Sequence, residues 1–421
     1  FKGSLEMLGL GFHELRYFKY KSAAESFARE DFSEADREQR QRLVDENYNL
    51  AQKEICEGRN FTPAYFDKLV ESTWMFLPDD AVIQNLVDTL ARWSDISEII
   101  SKYEKQNKNL VSANSLNKFI LPDDYWGSKP KIAVIYAIGG TGIDDGIKSC
   151  TLVKYVEAAM NSGNVKAVVL RVDSPGGDAL AADLIADVLR KGKGKKPIIV
   201  SQGYVAASGG YWLSMFADTI VAAPNTITGS IGVIGAFLYN KTLKQNLGMS
   251  VDHVQKGKFA DLGFGATLPL IGLTIPDRDF TDEELKMAET GIKTLYKGFV
   301  DKVALGRNKS FDEIEKIAQG RVWSGSDGLK NGLVDVLGGL DDAIKIALDK
   351  SGLTNSEYEI IEMPEPEWFD LNSFLPSFLR IEQKIVEDPF ISDLKFRLQY
   401  NGIPIPLLPM DFIDENMIYE E

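Results

Sequence analysis

Two stretches of this chain repeat one another, and a duplication restricts the available folds more than any other feature of the sequence. Asp31-Phe32-Ser33 matches Asp279-Phe280-Thr281, and Gly58-Arg59-Asn60 matches Gly306-Arg307-Asn308, both at a spacing of 248. Trp74 and Trp323 lie 249 apart, Leu86–Leu90 and Leu333–Leu337 lie 247 apart, and Leu8-Gly9 and Leu247-Gly248 lie 239 apart. Ordered matches at a nearly constant spacing are what two copies of one structural unit leave behind. The second copy runs from about Lys131 to Gly352. The first opens at the counterpart of Tyr239, so roughly 110 residues of its front have no equivalent in this sequence, and the natural protein is expected to continue N-terminally. The expected partition is 1–105 for the rear of the first copy, 106–130 for a Lys/Asn/Ser-rich linker, 131–352 for the complete copy and 353–421 for an extension. That extension is acidic, carries Pro364, Pro366, Pro404, Pro406 and Pro409 with Trp368, Phe369, Phe374 and Phe378, and is expected to pack over the core or a neighbour.

The complete copy reads as α/β. Ile132–Tyr136, Ala167–Val172, Ile198–Ser201 and Thr219–Ala223 are short apolar, β-branched runs, and helical patterns at Thr151–Met160 and Leu180–Leu189 separate the early ones. Strand, helix, strand in this order gives a parallel sheet with right-handed crossovers. Residues 282–318, and the matching 34–70, read as mostly helical.

Composition removes several functions. The formal net charge of −15 over 421 residues argues against a nucleic-acid surface, because phosphate binding needs clustered Lys and Arg. His13 and His253 are the only histidines, which excludes a His-rich metal centre and disfavours a His-based triad. Both sit in short alternating runs that read as strand and are expected to serve packing. Cys56 and Cys150 leave room for one bridge at most, not a disulfide framework. The longest uncharged stretch, Leu262–Pro276, is too short to span a bilayer. No metal or other cofactor is expected.

Two glycine-rich turns carry the candidate chemistry. Asp173-Ser174-Pro175-Gly176-Gly177-Asp178 follows the strand ending at Val172, and Val205-Ala206-Ala207-Ser208-Gly209-Gly210-Tyr211-Trp212 comes soon after the strand ending at Ser201. Paired glycines let backbone approach a ligand and turn N–H groups outward. A serine leading into a helix sits where negative charge is favoured, which suits a nucleophile. It also suits a plain N-cap, and Ser208 alone does not separate the two. A third cluster is Thr228-Gly229-Ser230-Ile231-Gly232, by itself a turn.

These segments, in this order and spacing, resemble the signal peptide peptidase A (protease IV) family over residues 1 to about 350. The resemblance implies a Clp/crotonase-like parallel-sheet spiral fold in tandem copies, the first incomplete at its N-terminus here. It implies Ser208 as nucleophile. It implies a lysine in a Tyr-Lys-Ser-Ala pattern after a strand, which here is Tyr20-Lys21-Ser22-Ala23 and points to Lys21 as general base. At the repeat spacing of 239, Lys21 falls opposite Ala260, so the copy with the serine has lost its own lysine, while Lys19 pairs with Lys258 and both read as surface residues. Ser230 is expected to support the lysine amine. Gly209 and Gly177 are expected to supply the oxyanion-hole N–H groups, with Gly176 as the substitute for Gly177.

The implied activity is a serine endopeptidase acting on cleaved signal peptides and other unfolded apolar peptides. The implied setting is a homotetramer on the periplasmic face of a bacterial inner membrane, anchored by a segment outside this sequence. Leu262–Pro276 has no match in the first copy and is expected to form an apolar lip near substrate or membrane: Lys21 to Asp31 is 10 residues, Ala260 to Asp279 is 19. The competing expectations are a non-proteolytic peptide-binding scaffold of the same fold and a crotonase-like acyl-CoA enzyme.

Overall fold

A computed structural model describes residues 1–108, 110–116, 125, 127–268, 273–354, 357–364 and 402. Twelve strands occur among them. In chain order they are β1 (Leu10–Leu15), β2 (Lys131–Ile138), β3 (Val165–Ser174), β4 (Ile198–Ala207), β5 (Thr219–Ala222), β6 (Ile227–Gly229), β7 (Gly235–Asn240), β8 (Gly265–Leu268), β9 (Leu273–Pro276), β10 (Val322–Ser324), β11 (Val336–Leu337) and β12 (Glu359–Met363).

The main sheet has the order β10-β6-β4-β3-β2-β12, with β5 beside β4 and β11 beside β5. Its β12-β2-β3-β4-β5-β11 part is parallel throughout. The helices Ser149–Asn161 and Ala179–Gly192 are the crossovers that the sequence pattern required. Ile135, Leu170, Val200 and Ile220 are fully buried on one face against Val156, Ile185 and Leu213, while Ile132, Val169 and Ile199 face Ala343 and Ala347 of the Leu340–Lys350 helix on the other. Burial on both faces is why these strands read as continuous apolar runs rather than alternating ones.

β4 serves two neighbours in succession. Its first half pairs with β5 through Ile199–Gln202, and its second half pairs with β6 through Val205–Ala207. The changeover is a bulge opposite β3, between Val172 and Ser174. The Asp173 carboxylate accepts the Tyr204 amide at 3.1 Å and the Val205 amide at 3.0 Å, supplying acceptors for two donors that leave the ladder there.

The compact unit built on this sheet comprises residues 1–46 together with 129–421, and residues 47–128 form a second unit. β1, from the first copy, pairs antiparallel with β7, from the second, from Leu10↔Asn240 to Leu15↔Gly235. Leu15 and Phe18 belong to the main core, and Phe18 stacks on Tyr296 with ring centroids 3.7 Å apart. The helix Glu34–Arg59 follows, and its Leu43 packs with Val205, Ala207, Ile227 and Val322. Within the second unit, the Pro63–Ser72 helix is capped by the Thr62 hydroxyl, and Arg59 forms a two-point ion pair with Asp88.

The apolar insert is a short antiparallel hairpin, β8 with β9, and Ala266 and Ile275 at its base are buried. Four residues between the two strands, 269–272, lie outside the described residues, as do 109, 117–124 and 126 of the 106–130 stretch and nearly all of 365–421. The described start of the extension, β12, is a further parallel strand on β2. One histidine departs from expectation. His13 lies on β1, with Nδ1 3.3 Å from the Asp279 carboxylate. His253 is exposed, outside any strand, and its ring bonds to Gln255. Among the described residues the Val251-Asp252-His253 alternation pairs with no strand, so periodicity alone does not make it one.

Candidate active site

Ser208 stands where β4 ends and the short helix Gly209–Ser214 begins. Its backbone is at φ 57° and ψ −114°, a conformation that costs a non-glycine residue about 1–3 kcal/mol and persists only under external constraint. The constraints are visible. The Ser208 amide donates to Gly229 O of β6 at 2.8 Å, and its carbonyl accepts from Trp212 N at 2.9 Å. Tyr211 and Trp212 anchor the helix in the core, Tyr211 through a hydroxyl bond to Leu333 O and Trp212 by stacking on Phe299. The Ser208 hydroxyl makes no capping bond to the helix. The plain N-cap role therefore fails, and the oxygen is left for another partner.

That partner is Lys21. Its Nζ lies 2.8 Å from Ser208 Oγ, 3.0 Å from Ser230 Oγ and 3.1 Å from Ser230 O. The lysine comes from the loop between β1 and the Glu34–Arg59 helix, whose Tyr20 amide donates to Gln319 O at 3.0 Å. Gly320, at φ 77°, makes this approach possible: a β-carbon there would stand 2.5 Å from Lys21 Cβ and 2.8 Å from its Cα. Lys21, Ser208 and Ser230 are all closed to solvent. Burial holds the Lys21 amine well below the ordinary lysine range, since desolvation penalises the ammonium form.

Ser230 is itself fixed, with φ 49°, its amide on Arg321 O at 2.7 Å and its hydroxyl donating to Gly320 O at 3.4 Å. Its proton thus points away from the lysine and its oxygen accepts. Lys19 and Lys258 are surface residues, with side chains 63% and 66% exposed, paired with Glu38 and Glu283.

The Ser174–Asp178 turn lies against Ser208-Gly209. A β-carbon on Gly209 would stand 2.8 Å from Gly176 Cα and 3.2 Å from Gly177 N, so the two glycine segments are in direct contact. Gly176 N–H already donates to Ser174 Oγ at 3.2 Å. Gly177, at φ 147°, sits in a bridge to Thr141 whose two bonds use Gly176 O and Asp178 N, which leaves the Gly177 N–H unused by the bridge. Thr141 was absent from the sequence expectations. It reaches the turn from beyond the end of β2, and its Oγ1 also donates to Asp178 O at 3.2 Å. Only the pair Gly140-Thr141 within Gly139-Gly140-Thr141-Gly142 hinted at a close backbone approach there.

Fold and site together define an α/β chain in which two tandem copies each supply one half of a buried lysine–serine pair, beside glycine amides at the C-terminal ends of parallel strands. The chain belongs to peptidase family S49, whose description matches residues 1–108 and 190–354. Protease 4 of Salmonella typhi is 34% identical over 370 residues, covering 84% of this chain and 57% of that protein. The chloroplastic serine protease SPPA of Arabidopsis thaliana is 32% identical over 386 residues, covering 86% and 54%. The chain thus spans little more than half the length of these curated relatives. A ClpP1 mutant from Listeria monocytogenes overlaps 50% of this chain and 94% of its own at 15% identity and a TM-score of 0.33, a likeness too distant to carry an argument.

Proposed function

We propose that this chain is a serine endopeptidase in which Ser208 attacks the scissile carbonyl and neutral Lys21 takes its proton. The observation that carries this reading is the 2.8 Å contact between Nζ and Oγ, with both groups closed to water. A serine hydroxyl needs a base at neutral pH, and a free lysine amine, titrating near about 10.4, is charged and cannot be one. A neutral amine has two N–H bonds and one lone pair. Ser230 O and Ser230 Oγ accept the two N–H groups, which turns the lone pair toward Ser208.

Proton and charge then balance. Oγ bonds to the carbonyl carbon as its proton passes to Nζ, and the carbonyl oxygen becomes an oxyanion. Gly209 N–H and Gly177 N–H are the donors proposed for it; Gly176 N–H is engaged by Ser174 and is dropped from the set. Collapse of the intermediate expels the amine, which takes the proton from Nζ. Water hydrolyses the acyl-enzyme by the same route, with Lys21 again as base. Ser208 is covered in this structure, so a peptide reaches it only by displacing what covers it.

The substrate class proposed is extended, unfolded peptide with small or apolar side chains, cleaved signal peptides among them; an Enterococcus faecium relative, 33% identical over 193 residues, is described as a signal peptide peptidase. A strand-like peptide would pair with backbone beside Ser208 and present alternate side chains to pockets. A homotetramer facing the bacterial periplasm from the inner membrane is the setting proposed with it. No helix among the described residues is long and apolar enough to cross a membrane.

A peptidase assay on three variants tests the chemistry. Ser208→Ala and Lys21→Ala should fall to background, and Lys258→Ala should remain near wild type. Full activity in Lys21→Ala removes the dyad. A fluorophosphonate adduct on Ser208 separates the peptidase from a binding scaffold. Activity requires the unprotonated amine, so kcat/KM should rise as pH climbs through the lowered Lys21 pKa, with the limb well below the ordinary lysine range.

A further inference from the structure

We infer that Gln39 is a positioning residue that sets the Lys21 amine against Ser208, an inference that rests on the dyad reading above. Gln39 is 1% exposed, on the first turns of the Glu34–Arg59 helix. Its Nε2 lies 3.2 Å from Tyr20 O, 2.9 Å from Ser22 Oγ and 2.8 Å from Asp36 Oδ1. These contacts hold the residues on either side of Lys21. Its Oε1 accepts the Val322 amide at 3.2 Å.

Val322 is registered against Gly229 across β10 and β6, and the next residue, Ser230, accepts both hydrogen bonds from Nζ. The contacts close a ring: lysine backbone, Gln39, β10, β6, Ser230, lysine side chain. One amide thus ties the lysine loop of the first copy to the strand pair of the second that aims its amine. The charged neighbours in this cluster neutralise each other. Asp36 accepts from Arg40 Nε at 2.7 Å and from Ser22 Oγ at 2.5 Å, and burial alone accounts for the depressed Lys21 amine.

The repeat supplies an independent comparison. At the spacing of 248, Asp36 corresponds to Glu284 and Gln39 to Met287. The carboxylate is buried in both copies, and in the second it clamps Arg278, which also holds Asp261 of the loop matching the lysine loop. Met287 is 53% exposed, and its loop has Ala260 where the first copy has Lys21. The clamp between loop and helix is therefore common to both copies, whereas the bridging amide occurs only in the copy that presents the amine.

The experiment compares wild type, Lys21→Ala, Gln39→Met and Ser22→Ala. It measures kcat and KM per site labelled to completion by a fluorophosphonate, across pH. Gln39→Met, the residue of the second copy, should lower kcat per labelled site by about tenfold to a hundredfold with little change in KM, as a displaced catalytic group does. It should also move the acidic limb toward alkaline pH, because a loosened amine is better hydrated. Ser22→Ala, which keeps the bond to Val322, should show the same shift in smaller measure and decides the matter if Gln39→Met does not fold. A purely structural role would lower the melting temperature and the number of labelled sites while leaving kcat per site and the limb in place, and that outcome overturns the inference. An active Lys21→Ala overturns the dyad instead, so the two failures are distinct.

Discussion

Burying the Lys21 amine costs the fold stability. Unfolded, its amine titrates near about 10.4; folded, burial holds it well lower. Between those two values the unfolded chain binds a proton that the folded chain does not, so stability falls as pH drops through that window and the full cost is present below the folded value. Desolvation of the fully buried amine is the larger effect; the Ser230 O acceptor that Lys21→Met leaves without a donor costs about 1–3 kcal/mol against it. The variant should therefore be inactive yet melt higher than wild type at pH 7, with the gain fading above about pH 10. Calorimetry at the two pH values checks this; a lower melting temperature for Lys21→Met at pH 7 overturns the assignment of a strained, neutral amine.

That Lys21, Ser208 and Ser230 meet was legible because each lies in a short motif and because the second copy has Ala260 in place of the lysine. Gly176 and Gly177 were not separable by sequence, since the choice depends on which amide the Ser174 hydroxyl has taken. Gln39 and Thr141 were unreadable for a related reason: their partners lie up to 283 residues away.

The bulge in β4 and the Ser174–Asp178 turn form one piece of the framework around the proposed site. β3 ends in that turn, and Asp173 at its edge holds the Tyr204 and Val205 amides of β4 just before Ser208. Thr141 then splints the turn from beyond the end of β2. It donates its amide to Gly176 O at 2.9 Å and accepts from Asp178 N at 2.8 Å, and these bonds orient the Gly177 N–H. Thr141→Val preserves shape and backbone bonds but deletes the Oγ1 bond to Asp178 O. It should lower kcat by about tenfold, less than the 10²–10³ for outright loss of an oxyanion donor, leave KM nearly unchanged, and be rescued by Thr141→Ser. Steady-state kinetics that show the three proteins alike would remove Thr141 from the framework.

At this scale the sequence was most informative where burial is complete. The four apolar runs became β2 to β5, and both crossover helices formed where expected. β12 was missed because its short Glu359-Ile360-Ile361-Glu362 run has neither a strict alternation nor a continuous apolar stretch, lies half exposed at a sheet edge, and sits in a segment whose prolines suggested irregular chain.

In the molecule as a whole, the copies defined by sequence and the units defined by packing are different divisions. The first 46 residues belong to the first copy by descent and to the second by contact. Six residues of β1 pair with β7, Leu15 and Phe18 enter the main core, and Leu43 closes a cluster over β4, β6 and β10. Each buried Leu or Phe is worth about 1.5–3 kcal/mol of burial. Arg42 adds a two-point ion pair to Asp327, with Nε and a terminal nitrogen on its two oxygens at 2.7 and 2.9 Å. These contacts act between the two segments whatever covalent path joins them, and chain continuity through 106–130 adds the entropy of a tether. A protease site inserted in that stretch gives a direct test. After cleavage, the N-terminal piece carrying Lys21 and the C-terminal piece carrying Ser208 should elute together in gel filtration, and the fluorophosphonate should label Ser208 at the uncut rate. Loss of labelling while the pieces stay together would mean that the lysine is held in place through the linker. Separation of the pieces at micromolar concentration would mean that β1, Leu15, Phe18 and Leu43 bind the second copy far more weakly than their burial implies.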